Sequence, residues 1–257
     1  MEQAFLFFGT FMLVMARVIG FFVQAPIWGS KHINDKVLVG LAACTSIVIF
    51  VNVPLPEELP GSPIIFILLI ASQLFIGMVM GYTSFLCMAC AQFGGEMLDI
   101  QLGLSSAAAS DPSSKGTINL IRRLQFYLAM TLYLIFDGHH VLMKAVAKSF
   151  DIIPLTGTRF SGKLIGELIY LSGQILYIGV QIALPAMGAL FMVQIALGVM
   201  ARVAPQMNVF MLSFPLNILV GLTMLIATIP ILARYYARLF ELNNDWLIKV
   251  MQLLIPQ

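Results

Sequence analysis

Charge is scarce in this chain. Of its 257 residues only 10% are Asp, Glu, Lys or Arg, against 60% hydrophobic, whereas an ordinary soluble domain carries about 25% charged residues. That shortage excludes a water-solvated globular surface and predicts an integral membrane protein. The net charge is only +2 and no run of Lys or Arg is long enough to hold a polyanion, so nucleic acid is not an expected partner. Histidine is limited to His32, His139 and His140, and cysteine to Cys44, Cys87 and Cys90. No HExxH, GxSxG or carboxylate-rich metal pair is present, which leaves little material for hydrolytic or metal catalysis. The one CxxC lies inside the helical run Phe85-Leu86-Cys87-Met88-Ala89-Cys90 with no second pair, and reads as small packing residues. Met1-Glu2-Gln3 provides no basic region ahead of the first apolar stretch, so a cleaved secretory signal is not expected.

What the chain has instead is hydrocarbon. Charge-free runs cover Leu59 to Gly95, Leu168 to Ala201 and Val203 to Ala233, each longer than the roughly 20 residues a bilayer crossing needs. Breaks at Trp28 to Lys36, Val53 to Pro63, Glu96 to Arg123, Phe150 to Lys163 and Arg202 to Asn208 predict about six hydrophobic segments and a tail. The segments are uneven. The first long run would reach roughly 55 Å as a helix, whereas Leu124 to Phe136 is too short to cross alone. Lys31, Lys36, Lys115, Arg122, Arg123 and Arg202 would share one side, opposite Glu57 and Glu58, yet this puts Lys144, Lys148, Arg159 and Lys163 on the wrong side. A simple multi-pass bundle is therefore not expected. Pro26, Pro185, Pro205, Pro215 and Pro230 fall in or beside the apolar segments and predict bent helices. In the tail, Asn243-Asn244-Asp245 reads as an N-cap. Leu239, Leu242, Trp246, Val250 and Leu253 form a stripe that would lie on the bilayer or dock on a partner. Sixteen methionines supply adaptable packing surfaces.

Polar candidates stand out against this background. Gln92, Glu96 and Asp99 at i, i+4, i+7 make one stripe, with Arg17, Arg122 or Arg123 as candidate counterions. Proton relay, water-lined pathway and structural ion pair all remain open readings of intramembrane carboxylates. The segment that follows is small and polar: Leu104, Ser105, Ser106, Ala107, Ala108, Ala109, Ser110, Asp111, Pro112, Ser113, Ser114, Lys115, Gly116 and Thr117. It lacks the apolar area that would fix it in place, and points to a gate or ligand site. Arg202 with Pro205, Gln206 and Asn208 reads as a hinge or a pore rim. In a helix Asp137 and His140 share a face, with His139 turned about 100° away, so Asp137-Gly138-His139-His140 is not expected to converge on a metal. The plainer reading is a helix end where Asp137 orients a histidine and Gly138 permits close packing.

Taken together, several blocks resemble the FliR family of the type III secretion export gate. They are Arg17-Val18-Ile19-Gly20 with Gln24-Ala25-Pro26, Asp99-Ile100-Gln101-Leu102-Gly103 with Asp111-Pro112, Asp137-Gly138-His139-His140 with Ser149-Phe150 and Pro154, Ala183-Leu184-Pro185, and Arg202 through Phe210 with Phe214-Pro215-Leu216. The resemblance spans the chain. It implies an all-α, non-enzymatic membrane protein of long kinked helices and helical hairpins, with no cofactor or metal, in one helical membrane domain. A FliP-like part to about residue 160 would be followed by a FliQ-like hairpin and amphipathic tail over about 161–257. It implies a helical cone shared with FliP-like and FliQ-like subunits, one copy of this chain per gate, much of it above the plane of the bacterial inner membrane in the flagellar basal body. Further implied partners are FlhB-like and FlhA-like export proteins, unfolded exported proteins and membrane lipid, with residues 104–117 as the plug. The injectisome branch of the family is the near alternative. A proton-coupled transporter using Arg17, Glu96 and Asp99 is another, although the two halves show no repeat. A metalloenzyme using Asp137, His139 and His140 is a third.

Overall fold

The computed structural model describes residues 2–29, 33–56, 59–104, 119–156 and 162–255. Among these it forms seven helices and no strand: α1 (Glu2–Gln24), α2 (Asp35–Phe50), α3 (Pro63–Gln101), α4 (Leu120–Ile135), α5 (Gly138–Ile152), α6 (Gly162–Val203) and α7 (Val209–Leu253). The protein is an all-α integral membrane protein. Helices α1, α3, α6 and α7 are long and apolar enough to cross a bilayer. Helices α2, α4 and α5 have 16, 16 and 15 residues, short of the roughly 20 required. At 39, 42 and 45 residues, α3, α6 and α7 extend roughly 58, 63 and 68 Å. Each is about twice the ~30 Å hydrocarbon core.

The helix end read at Asp137 is where the structure has one: Asp137 adopts a left-handed conformation (φ 54°, ψ 26°) and restarts the chain as α5. Asp tolerates that region better than most residues. The tail needs correction: it starts no helix of its own, because Asn243, Asn244 and Asp245 lie inside α7, which is continuous to Leu253. Of the expected stripe Leu239 and Val250 are buried, while Leu242 is 42% exposed; Phe240, Asn243, Leu247, Met251 and Leu254 are buried beside them. The buried stripe is thus rotated away from Leu242 and Trp246. It faces this chain itself, where Lys249 Nζ lies 2.8 Å from Glu167 and 5.8 Å from the centre of the Tyr170 ring, both on α6.

The described chain forms two compact units that interleave in sequence. The first contains Met1–Cys87, Asp137–Leu171 and Phe240–Gln257; the second contains Met88–Phe136 and Ser172–Leu239. In the first unit α1 and α3 meet backbone to backbone. A Cβ on Gly77 would lie 2.0 Å from the Arg17 carbonyl oxygen, and one on Gly20 2.2 Å from that of Leu74. Gly77 and Gly81 are four apart, the small-residue spacing through which membrane helices gain van der Waals contact where no hydrophobic force drives them together. Phe50 of α2 packs edge-on against Phe7 and Phe11 of α1, with ring centres 4.7 and 5.8 Å away.

The core of the second unit joins Leu98 and Leu102 at the end of α3 to Ile121 of α4, Ala183, Ala186 and Leu190 of α6 and Leu225 of α7. Helices α6 and α7 run antiparallel there, with the Tyr235 hydroxyl donating to Gln181 Oε1. The turn between them is local chemistry. Pro205 has no N–H with which to continue α6, Met207 N–H donates to the Ala204 carbonyl at 3.0 Å, and Asn208 starts α7 by accepting from Met211 N–H at 3.3 Å through its side chain. Pro185 lies inside α6, and Pro215 and Pro230 inside α7.

Candidate functional site

Arg17 is completely buried in the first unit. Its Nε donates to Gln73 Oε1 at 2.7 Å. One terminal nitrogen donates to the Ser149 carbonyl at 2.8 Å and the Ser149 hydroxyl at 3.2 Å, and the other to the Ile153 carbonyl at 3.0 Å. The guanidinium lies 4.3 Å from the centre of the Phe150 ring. Gln73 is held in turn by donating to the Leu155 carbonyl at 2.9 Å. The pairing expected between Arg17 and a carboxylate is therefore not what the structure shows. The guanidinium takes carbonyls at the C-terminal end of α5, the negative end of that helix's dipole; the Ser149 carbonyl also accepts from Ile153 N–H at 2.9 Å, whereas the Ile153 carbonyl lies past the last helical turn. The planar fork with five donors is the reason an arginine can reach α3 and two carbonyls of α5 at once.

Asp99 is likewise completely buried, in the second unit. Its Oδ1 accepts from Ile121 N–H at 2.9 Å and its Oδ2 from Arg122 N–H at 3.0 Å. These are orphan donors in the first turn of α4. The local N-cap residue, Asn119, makes no side-chain cap, so Asp99 caps α4 from another helix. The close approach this requires runs through Gly95, where a Cβ would meet the Arg122 Cα at 2.6 Å. Glu96, one turn earlier, faces the Arg122 guanidinium at 3.8 Å, both about 40% exposed (45% and 39%); such a pair contributes about 0–1 kcal/mol. Arg123 is exposed. The stripe of Gln92, Glu96 and Asp99 thus divides into a half-exposed ion pair and a buried cap.

Leu104 packs against the core of the second unit, and Gly103 ends α3 with a left-handed φ of 78°, the usual stop signal of a helix C-terminus. The rest of the expected plug, residues 105–117, lies outside the described residues. Arg202, Pro205, Gln206 and Asn208 form the exposed α6–α7 turn. Asp137 and His140 are exposed, Gly138 is buried and His139 half-buried. Cys87 and Cys90 are buried and Cys44 is exposed, with no further cysteine in the chain. Sequence reasoning missed Gln73, Ser149 and Ile153 as the Arg17 receptor. The available signal was Gln73 itself, an amide inside an otherwise uncharged run.

Residues 8–242 match the family described as bacterial export proteins, family 1. The chain belongs to this family. It is similar to the flagellar biosynthetic protein FliR of Escherichia coli (strain K12), 28% identical over 93% of this chain and 92% of the relative. It is equally similar to FliR of Bacillus subtilis (strain 168), at 28% over 93% of each chain, and is 30% identical to FliR of Buchnera aphidicola subsp. Acyrthosiphon pisum over 92% and 93%. This bacterial export protein is accordingly a membrane component of the flagellar export apparatus. Both buried charges, Arg17 and Asp99, fall within the matched residues.

Proposed function

We propose that this chain is a core subunit of the flagellar type III protein export gate. With FliP-like and FliQ-like subunits, one copy of it lines the conduit for unfolded flagellar proteins, next to FlhB-like and FlhA-like export proteins in the basal body. The observation that carries this reading is the mismatch of helix length and surface. Helices α3, α6 and α7 are about twice as long as the hydrocarbon core, yet they expose large apolar side chains such as Ile64 (72%), Ile169 (68%) and Ile226 (69%). Apolar flanks that extend past the lipid need protein to cover them. On this reading the chain is a FliP-like part to about residue 160 followed by a FliQ-like hairpin, much of the cone stands above the membrane plane, and the protein has no enzymatic step.

Residues 104–117 close the conduit at rest. The supporting geometry is at its two ends: Leu104 sits on the core of the second unit and α4 is capped by Asp99, so the segment can yield to a passing chain while its base stays folded. The test has two arms. Expression with FliP-like and FliQ-like partners should give a stable complex, and expression alone little stable product; a well-folded, cooperatively melting monomer in detergent contradicts the hetero-oligomer. Deleting Ser105 to Ser114 should leave assembly intact and make the membrane leaky to ions or small solutes. Unchanged permeability in a correctly assembled complex contradicts the plug.

A further inference from the structure

We propose that Asp137, His139 and His140 form a binding site for a divalent transition metal of the zinc class. The expectation that they cannot converge gave all three residues helical spacing, whereas α5 begins only at Gly138. Because Asp137 is left-handed instead (φ 54°, ψ 26°), its carboxylate folds back over the first turn of α5, and His140 Nδ1 lies 3.2 Å from Asp137 Oδ1. One ligand atom from each of the three side chains lies within 4.8 Å of the others, and the two imidazole rings are neighbours with centres 4.1 Å apart.

The chemistry suits a borderline-soft cation. Two imidazole nitrogens and one carboxylate oxygen make a three-ligand set that leaves a fourth position for water. In a tetrahedral zinc site with bonds of about 2.0–2.1 Å, neighbouring ligand atoms are about 3.3 Å apart. The Asp137–His140 pair already has that spacing, and the three ligand atoms lie within 4.8 Å of one another on side chains two of which are exposed. An independent observation comes from His139. Its Nδ1 is buried and has no hydrogen-bond partner, a state that buried polar atoms rarely occupy and that a metal bond relieves. The Asp137 carboxylate offsets part of the cation's charge beside the positive end of the α5 dipole.

The test uses the full chain in its assembled export complex, stripped with chelator, in a background carrying His32→Gln and Cys44→Ser to remove the other histidine and the exposed thiol. Zn²⁺ alone is titrated by calorimetry. The expected result is one saturable equivalent per chain, weakened at least about ten-fold by Asp137→Asn, His139→Ala or His140→Gln, with Co²⁺ giving a tetrahedral visible spectrum that these changes abolish. If His139→Ala fails to assemble, His140→Gln, at the exposed ring, carries the test. Absence of saturable binding, or binding and spectrum unchanged by His140→Gln and Asp137→Asn, overturns the proposal.

Discussion

Arg17 in the first unit and Asp99 in the second solve one physical problem with opposite signs. Each is fully buried, and burying a lone ion is prohibitive unless it is paired or fully hydrogen-bonded. Neither meets its charge with a side chain of opposite sign. Arg17 takes carbonyls at the C-terminal end of α5, where the helix dipole is negative; Asp99 takes amides at the N-terminal end of α4, where it is positive. The two short helices are consecutive in the chain, joined by Phe136 and Asp137. The difference lies in breadth. Arg17 ties three helices together through Gln73 and two carbonyls, whereas Asp99 ties the end of α3 to one helix start, at the foot of the segment before α4. The lesson is that the counter-charge of a buried ion in a helical membrane protein can be a helix end.

The comparison predicts unequal costs. The largest belongs to Arg17→Met, which removes the guanidinium donors from the Ile153 carbonyl and the Gln73 amide oxygen, leaves the Ser149 carbonyl with Ile153 N–H alone, and should destabilise the complex by about 3–5 kcal/mol, as when one partner of a buried charged contact is removed. Arg17→Lys should recover only part of this, since a single ammonium cannot reach Gln73, Ser149 and Ile153 together. Thermal unfolding of the purified complex reads both. Full recovery by lysine would show that charge alone matters and break the distinction drawn above. Gly77→Ala comes next, because its methyl group would collide with the Arg17 carbonyl oxygen at 2.0 Å. Forcing α1 from α3 should cost about 1–3 kcal/mol, and a neutral result would mean that the guanidinium network does not need the close crossing.

Much of this architecture was legible in the sequence. Uncharged runs of more than thirty residues from Leu59 and from Leu168 announced α3 and α6, and Arg202 to Asn208 marked the turn where Pro205 stops α6. The helix end at Asp137 was legible, but the left-handed φ that makes it was not. Nor was the register of the tail, since Leu242 and Leu247 are equally apolar and only packing against this chain decides which is buried. The partners of Arg17 and Asp99 were hidden for a deeper reason. Backbone carbonyls and amides occur at every position, so no residue letter distinguishes the ones that receive an ion.

Smaller effects sharpen the contrast at Asp99. Asp99→Ala should cost about 1–2 kcal/mol, the range for losing a helix cap, read as an earlier unfolding transition and as faster hydrogen exchange at Ile121 and Arg122. Exchange unchanged at those two amides would contradict the capping role. Glu96→Gln, which removes only the half-exposed partner of Arg122, should change stability by about 0–1 kcal/mol. A larger loss would mean that the Glu96 pair, and not the Asp99 cap, holds α4.

The account's central claim is that the two buried charges are satisfied independently by helix ends, and a double-mutant cycle on Arg17→Met and Asp99→Asn tests it most directly. Unfolding free energies of the wild type, both single variants and the double variant are compared in the assembled complex. The helix-end account predicts that the two losses add within about 0.3–0.5 kcal/mol, as they do for sites sharing no partner. A double variant markedly more stable than the sum of the singles, with a coupling energy of about 1 kcal/mol or more, would show that Arg17 and Asp99 neutralise each other and would contradict it.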